Sequence, residues 1–252
     1  MGLTLATAAT IQTVKFSELF DTKGNHRQDE AFEAVKHFRF VLYGGAAGGG
    51  KSWWLRWANI RYHIRLFQQY GFRNTTSGLF CEDYPTLRDR QIIKLTSEAP
   101  AWLGELKEFR DLGLAFRLHE RFGGGAMLLR NLDDPSKYNS SEFSNIGVDE
   151  LTRNTAEVFE ELRKRIRWPG TVEVEKRLGM EPGSINLPFM GGTNPGGIGH
   201  KFVKQYWIES DFPPEMQRIA KQFKFIPALA SDNHMNPPNY KRDNLDTLTD
   251  PA

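Results

Sequence analysis

The chain has a single cysteine, Cys81, in 252 residues, so it forms no internal disulfide and no multi-cysteine metal site. That scarcity suits a reducing cytoplasm, and an intracellular protein is expected. No run approaches the roughly 18 apolar residues of a helical membrane span. Residues 1–13 lack the basic start and long apolar stretch of a secretion signal. Charge of one sign is missing too. Its 33 basic and 31 acidic residues leave a net +2, too little for a chain wrapped in nucleic acid, although a local basic patch fits within it. The histidines, at positions 26, 37, 63, 119, 200 and 234, show no metal-ligand spacing, and there is no internal repeat or low-complexity tract. What is present is 39% apolar residues, with aromatics at 12%, enough to build a core. The length suits one large α/β domain or two small ones.

Hydrophobic periodicity and turn residues divide the chain. The segment before Gly24 has little pattern and reads as an arm. Asn25 is placed to cap a helix running to residue 37, and strand-forming residues fill 38–43. A long helix over 52–70 carries Trp54, Leu55, Trp57, Ile60 and Ile64, and core packing accounts for Trp54 and Trp57 at least. A strand over 77–81 and a helix over 84–94 follow. Strands over 114–118 and 126–129 flank the turn Gly123-Gly124-Gly125. Then come a strand at 146–149, a helix at 156–167, a strand at 185–191, a helix at 202–207 and an extended stretch at 221–226. Past Ala228 the chain turns polar and proline-containing, then ends in a short helical pattern. Strands alternating with helices predict a mainly parallel sheet covered on both faces.

Gly45-Ala46-Ala47-Gly48-Gly49-Gly50-Lys51-Ser52 matches G-x-x-x-x-G-K-[ST] in full, between a strand and a helix. Glycines let the backbone bend so that successive N–H groups surround a phosphate, and the following helix presents its positive end to the same anion. Lys51 then reaches the β- and γ-phosphates of ATP and Ser52 ligands Mg²⁺. A chance glycine turn is the competing reading, and average composition would produce these fixed positions in roughly one such chain in a hundred. A phosphate loop needs an acidic strand end as well. Ile146-Gly147-Val148-Asp149-Glu150 supplies it, with Asp149 in the metal shell and Glu150 polarising the attacking water. A solvated strand end is the plain alternative. Glu82-Asp83 is the rival pair, suited to a kinase-like arrangement. Thr193-Asn194-Pro195 closes another strand, where Asn194 can meet the γ-phosphate or the water. On composition alone an ordinary Asn-Pro turn explains it better.

Taken together, GGAAGGGKS (Gly44 to Ser52), IGVDE (Ile146 to Glu150) and GGTNPGGIGHKFVK (Gly191 to Lys204) resemble the large terminase subunit of tailed bacteriophages. LDDPSKYNSSEF before the acidic pair and LRKRIR after it extend the likeness. The resemblance implies a P-loop NTPase fold of the ASCE type: a mainly parallel central sheet, helices on both faces and a small antiparallel addition. It implies ATP hydrolysis that drives double-stranded DNA into a procapsid, with Lys51, Glu150, Thr193 and Asn194 in the chemistry and its coupling. Nucleotide would be held by residues 45–52 (Gly45, Ala46, Ala47, Gly48, Gly49, Gly50, Lys51, Ser52) and by Gln28 at the adenine, and Mg²⁺ by Ser52 and Asp149. Partners would be DNA, a portal protein, a small terminase subunit and further copies in a homo-oligomeric ring, the isolated chain being monomeric, in the host cell cytoplasm and away from membranes. The implied division is an arm at 1–24, an ATPase domain at 25–230 and a linker at 231–252 leading to a nuclease domain absent here. One feature departs from the family: the loop carries no arginine, and Asn139 stands where many relatives have one. Arg130, Arg165 and Arg167 are the candidate arginine fingers, or the finger comes from a neighbouring subunit. The basic cluster Arg163, Lys164, Arg165 and Arg167 is a solvated helix face, or a contact to the DNA backbone or a neighbouring subunit. Two other functions stay open, a P-loop kinase or transferase and a nucleotide-dependent ring-assembly module with little turnover.

Overall fold

A computed structural model describes residues 20–246; residues 1–19 of the expected arm and 247–252 of the C-terminal segment lie outside the described residues. Eight strands form one sheet: β1 (Phe40–Gly45), β2 (Thr76–Cys81), β3 (Gly104–Phe109), β4 (Gly113–Leu118), β5 (Ala126–Asn131), β6 (Asn145–Val148), β7 (Phe189–Thr193) and β8 (Phe223–Ala228). Their order is β3-β4-β5-β2-β6-β7-β1-β8. From β5 to β8 all neighbours are parallel, and β3 and β4 add an antiparallel edge. β3 was not expected, because its sequence GELKEF carries three charges and only two large apolar residues, with no clean alternation. That composition suits an edge strand, where exposed charges discourage pairing with other chains.

The helices are α1 (His26–Ala34), α2 (Lys51–Tyr70), α3 (Tyr84–Leu87), α4 (Ile93–Glu98), α5 (Ala156–Lys164), α6 (Thr171–Arg177), α7 (His200–Val203) and α8 (Tyr240–Asn244). Asn25 caps α1 by accepting from Gln28 N at 3.0 Å. Tyr43 meets Trp54 of α2, whereas Phe40 meets Phe159 of α5. Side chains alternate along a strand, so residues three apart face opposite ways and the sheet is covered on both sides. Trp54, Leu55, Trp57, Ile60 and Ile64 are all buried, as the periodicity of α2 requires. None of the described helices is long and apolar enough to cross a membrane.

Several boundaries moved for local reasons. The helix expected over 84–94 is two helices joined by a π-turn at Arg88–Ile92. The helix expected to reach 167 stops at Lys164, because Ile166 pairs with Phe143 in a parallel bridge. The strand expected from 185 starts at Phe189, just after Pro188, which has no N–H for a ladder.

One buried group makes stability depend on pH. His63 of α2 is enclosed, its ring nitrogens 2.7 Å from Thr75 Oγ1 and 2.8 Å from Ser77 Oγ, and burial pushes its pKa from 6.5 down to about 3. Between those values the unfolded chain binds a proton that the native chain does not. The contribution of His63 is therefore intact at pH 7 and is lost, by about 1 kcal/mol per unit, as pH drops from 6.5 towards 3. Urea unfolding between pH 7 and 5 should show that slope, and His63→Gln should flatten it; equal slopes in both proteins would refute the assignment.

Candidate nucleotide site

The glycine loop leaves the C-terminal end of β1 and opens α2. Gly48 and Gly50 have φ of 79° and 78°, a left-handed conformation that other residues adopt only with strain. At Gly44 the requirement is space, since a Cβ there would lie 2.0 Å from the Thr193 carbonyl oxygen on β7. Three loop carbonyls are tied back by side chains from outside the loop. Asn233 Nδ2 and Asn236 Nδ2 donate to Gly48 O at 2.8 and 2.9 Å, Tyr43 Oη to Gly49 O at 2.9 Å, and Gln28 Nε2 to Gly50 O at 3.1 Å. In a trans peptide the next N–H points away from the preceding carbonyl. The amides of Gly49, Gly50 and Lys51 are thereby turned to the opposite side, as an anion cradle requires.

Lys51 is buried, and its Nζ donates to Ala46 O at 2.5 Å and Asn194 Oδ1 at 2.7 Å. Burial lowers its pKa, opposed by the charges of Glu150 and Asp149 and assisted by Arg90. Ser52 Oγ donates to Asp149 Oδ2 at 3.0 Å, and Gln91 Nε2 donates to the same oxygen at 2.7 Å. Asp149 is 1% exposed, yet its Oδ1 is buried with no hydrogen-bond partner. A buried carboxylate oxygen without a partner is costly, unless a cation completes it. Together with the Ser52 hydroxyl this set of hard oxygens fits Mg²⁺. Among the described residues no group of three or more His, Cys, Asp or Glu could hold a metal, and Mg²⁺ usually takes one or two carboxylates with water and substrate phosphate.

Glu150 follows at the end of β6 with φ of 50°, a strained conformation for a side chain of its size. Its Oε1 accepts from Asn194 Nδ2 at 2.9 Å and its Oε2 from Asn194 N at 3.2 Å, and Arg90 Nη1 lies 3.3 Å from Oε1. Asn194 therefore links Lys51 to Glu150. Thr193 sits behind it, its hydroxyl engaged with Thr152 Oγ1 and Asn194 O rather than with the loop. Beyond Asn194, His200 Nδ1 accepts from Gly196 N at 3.1 Å and braces the turn. A cavity of about 490 Å³ opens over Arg90, Glu150, Thr152, Arg153 and Asn194. Another, of about 300 Å³, lies against Gln28, Gly50, Trp53, Asn233 and Met235.

The sheet order separates the two acidic pairs. β6 and β2 lie on the far side of β7 from β1, and of the two pairs it is Asp149, after β6, that bonds the loop residue Ser52, with Glu150 reaching Lys51 through Asn194. Asp83 caps α3 by accepting from Thr86 N, and Glu82 pairs with Arg153. The candidate arginine fingers are engaged elsewhere: Arg130 by the carbonyls of Leu112, Leu114 and Leu129, Arg165 by Asn139 and Glu161, Arg167 by Glu142. Arg163 and Lys164 pair with Glu160 and Glu161, so the basic cluster is a salt-bridged face. Sequence reasoning missed Arg90, Gln91, Asn233 and Asn236. The first two lay in the stretch read only as a helix over 84–94, and the asparagines in a segment read as a linker.

No protein-family model and no curated protein matches the sequence. Solved structures do match. A large terminase from a thermophilic bacteriophage, in complex with ATP-γ-S, aligns with a TM-score of 0.58 over 86% of this chain at 13% identity, and the chain covers 47% of that protein. The large terminase ATPase domain of Thermus phage P74-26 aligns with a TM-score of 0.51 over 86% of this chain and 85% of that domain, at 13% identity. A point variant of that domain gives 0.53 at 15% identity, over 87% of each chain. At such identities the likeness carries the fold, and the chain spans about half the length of the first of these proteins. The chain has the P-loop NTPase fold of phage large-terminase ATPase domains.

Proposed function

We propose that the chain is the ATPase domain of a large terminase, hydrolysing ATP with Mg²⁺ to drive double-stranded DNA into a procapsid. The observation that carries this reading is the side chain of Asn194, bonded at once to Lys51 of the loop and Glu150 of the acidic pair, beside the Ser52–Asp149 contact. Loop amides and Lys51 hold the β- and γ-phosphates. Ser52 and Asp149 would hold Mg²⁺, which would supply charge neutralisation on the phosphate oxygens. Glu150 takes a proton from water as its oxygen bonds to the γ-phosphorus and the bond to the bridging oxygen breaks, releasing ADP and phosphate. Asn194 exchanges its Lys51 contact as phosphate arrives or leaves, and passes the change to the Gly196–His200 turn. Gln28 faces the adenine side of the loop. Portal protein, small terminase subunit and a ring of copies in the host cytoplasm are the partners and setting this reading carries with it.

The positions of Glu82 and Asp83 argue against the kinase alternative. Phosphate release settles the matter: the chain with ATP and millimolar Mg²⁺, and no acceptor, should release phosphate, at a rate per subunit that rises with protein concentration as copies associate. Absence of adenine-nucleotide binding would reject the reading, and binding without release would favour an assembly module.

A further inference from the structure

The acidic pair Asp149-Glu150 is met by a second pair of consecutive residues, Arg90-Gln91. Gln91 Nε2 donates to Asp149 Oδ2 at 2.7 Å, and Arg90 Nη1 lies 3.3 Å from Glu150 Oε1. Neighbouring side chains of an α-helix point about 100° apart and do not face each other. Here the segment is wound as a π-turn over Arg88–Ile92, a distortion that concentrates at functional sites.

Arg56, one turn beyond Ser52 on α2, holds that turn. It is 3% exposed, and donates to Arg90 O at 2.8 Å, to Gln91 Oε1 at 3.0 Å, and to Glu98 Oε2 and Oε1 at 3.1 and 2.6 Å. Arginine has no acceptor, so its bond to Gln91 requires the amide oxygen there and directs the amide NH₂ to Asp149. With Ser52 and Gln91 both on Oδ2, Oδ1 is the oxygen left available. Arg90 itself is 37% exposed in its side chain and lines the 490 Å³ cavity, unlike the arginines locked elsewhere.

We propose that Arg90 and Gln91 are a positioning pair for this site, set by the buried Arg56: Gln91 orients Asp149 for Mg²⁺, while Arg90 orients Glu150 and places a cation from the same chain at the phosphate end of the cavity. This deepens the ATPase reading and rests on it. A charge in that place stabilises the phosphoryl group as negative charge spreads over its oxygens.

The test uses the full chain, with binding of the fluorescent analogue mant-ATP titrated against Mg²⁺, and steady-state phosphate release. Gln91→Met should need about tenfold more Mg²⁺ for half-maximal binding, the usual cost of losing a residue that orients a metal ligand, with binding in EDTA unchanged. Gln91→Asn gives the same readout should the methionine variant not fold. Arg90→Ala should lower kcat about a hundredfold while the mant-ATP Kd stays within about threefold, and Arg90→Lys should recover part of kcat. A purely structural role would instead move melting temperature, Kd and kcat together. A Gln91 variant with the native Mg²⁺ titration, or an Arg90→Ala variant with kcat within about twofold of native, overturns the proposal while native turnover keeps the ATPase reading intact. Failure of the native chain to bind mant-ATP with Mg²⁺ overturns both.

Discussion

Glu150→Gln is expected to bind ATP as the native chain does and to hydrolyse it about a thousandfold more slowly, within the range that general-base groups contribute. The substitution keeps the side chain's length and the carbonyl that accepts from Asn194 Nδ2, so the turn after β6 is preserved. It keeps the backbone as well, since glutamine tolerates φ of 50° as poorly or as well as glutamate. What it removes is the second acceptor, which takes the longer bond from Asn194 N, together with the charge that faces Arg90 and the basicity that takes a proton from water. In the proposed site, binding depends mainly on the loop and Lys51, on the other side of Asn194. Single-turnover phosphate release, measured beside mant-ATP affinity, separates the two effects. Turnover within tenfold of native would remove Glu150 from the chemistry.

Lys51→Met should weaken ATP binding by more than about a hundredfold, because two charge-assisted bonds to phosphate, worth about 1.5–3 kcal/mol each, are lost together. The apolar stem of methionine still fills the space against Gly44 and Gly192, where Lys51 carbons already pack. The loop should therefore keep its shape, held by Tyr43, Gln28, Asn233 and Asn236 from outside. The loss then reports the ammonium rather than unfolding. A titration calorimetry Kd within tenfold of native would show that the loop amides alone carry the phosphates.

Much of this site is legible in the sequence because its parts are local. The loop is eight consecutive residues, and its glycines answer to backbone conformations that those residues alone adopt. Asp149-Glu150 and Thr193-Asn194 each follow a short apolar run, so they can be placed at strand ends before any contact is known. The alternation of strands and helices likewise shows in the spacing of apolar residues. Where the pattern failed, competing contacts had overridden it: Phe143 draws Ile166 out of α5, and Pro188 delays β7.

Other features depend on residues brought together from afar. Gln91 reaches Asp149 across 58 positions, and Asn233 reaches Gly48 across 185. No local periodicity encodes such pairs, and polar residues on a helix or in a proline-containing segment look the same whether they face solvent or a buried acid. The choice between Asp149-Glu150 and Glu82-Asp83 is of this kind too. Composition makes both pairs plausible strand ends, and hydrophobic pattern alone says which stretches become strands. Only the sheet order, with β7 lying between β1 and β6 and β2 one strand further on, puts one pair beside Ser52 and sends the other to Arg153 and the cap of α3. Strand order follows from how helices pack on both faces at once, which is a property of the whole chain.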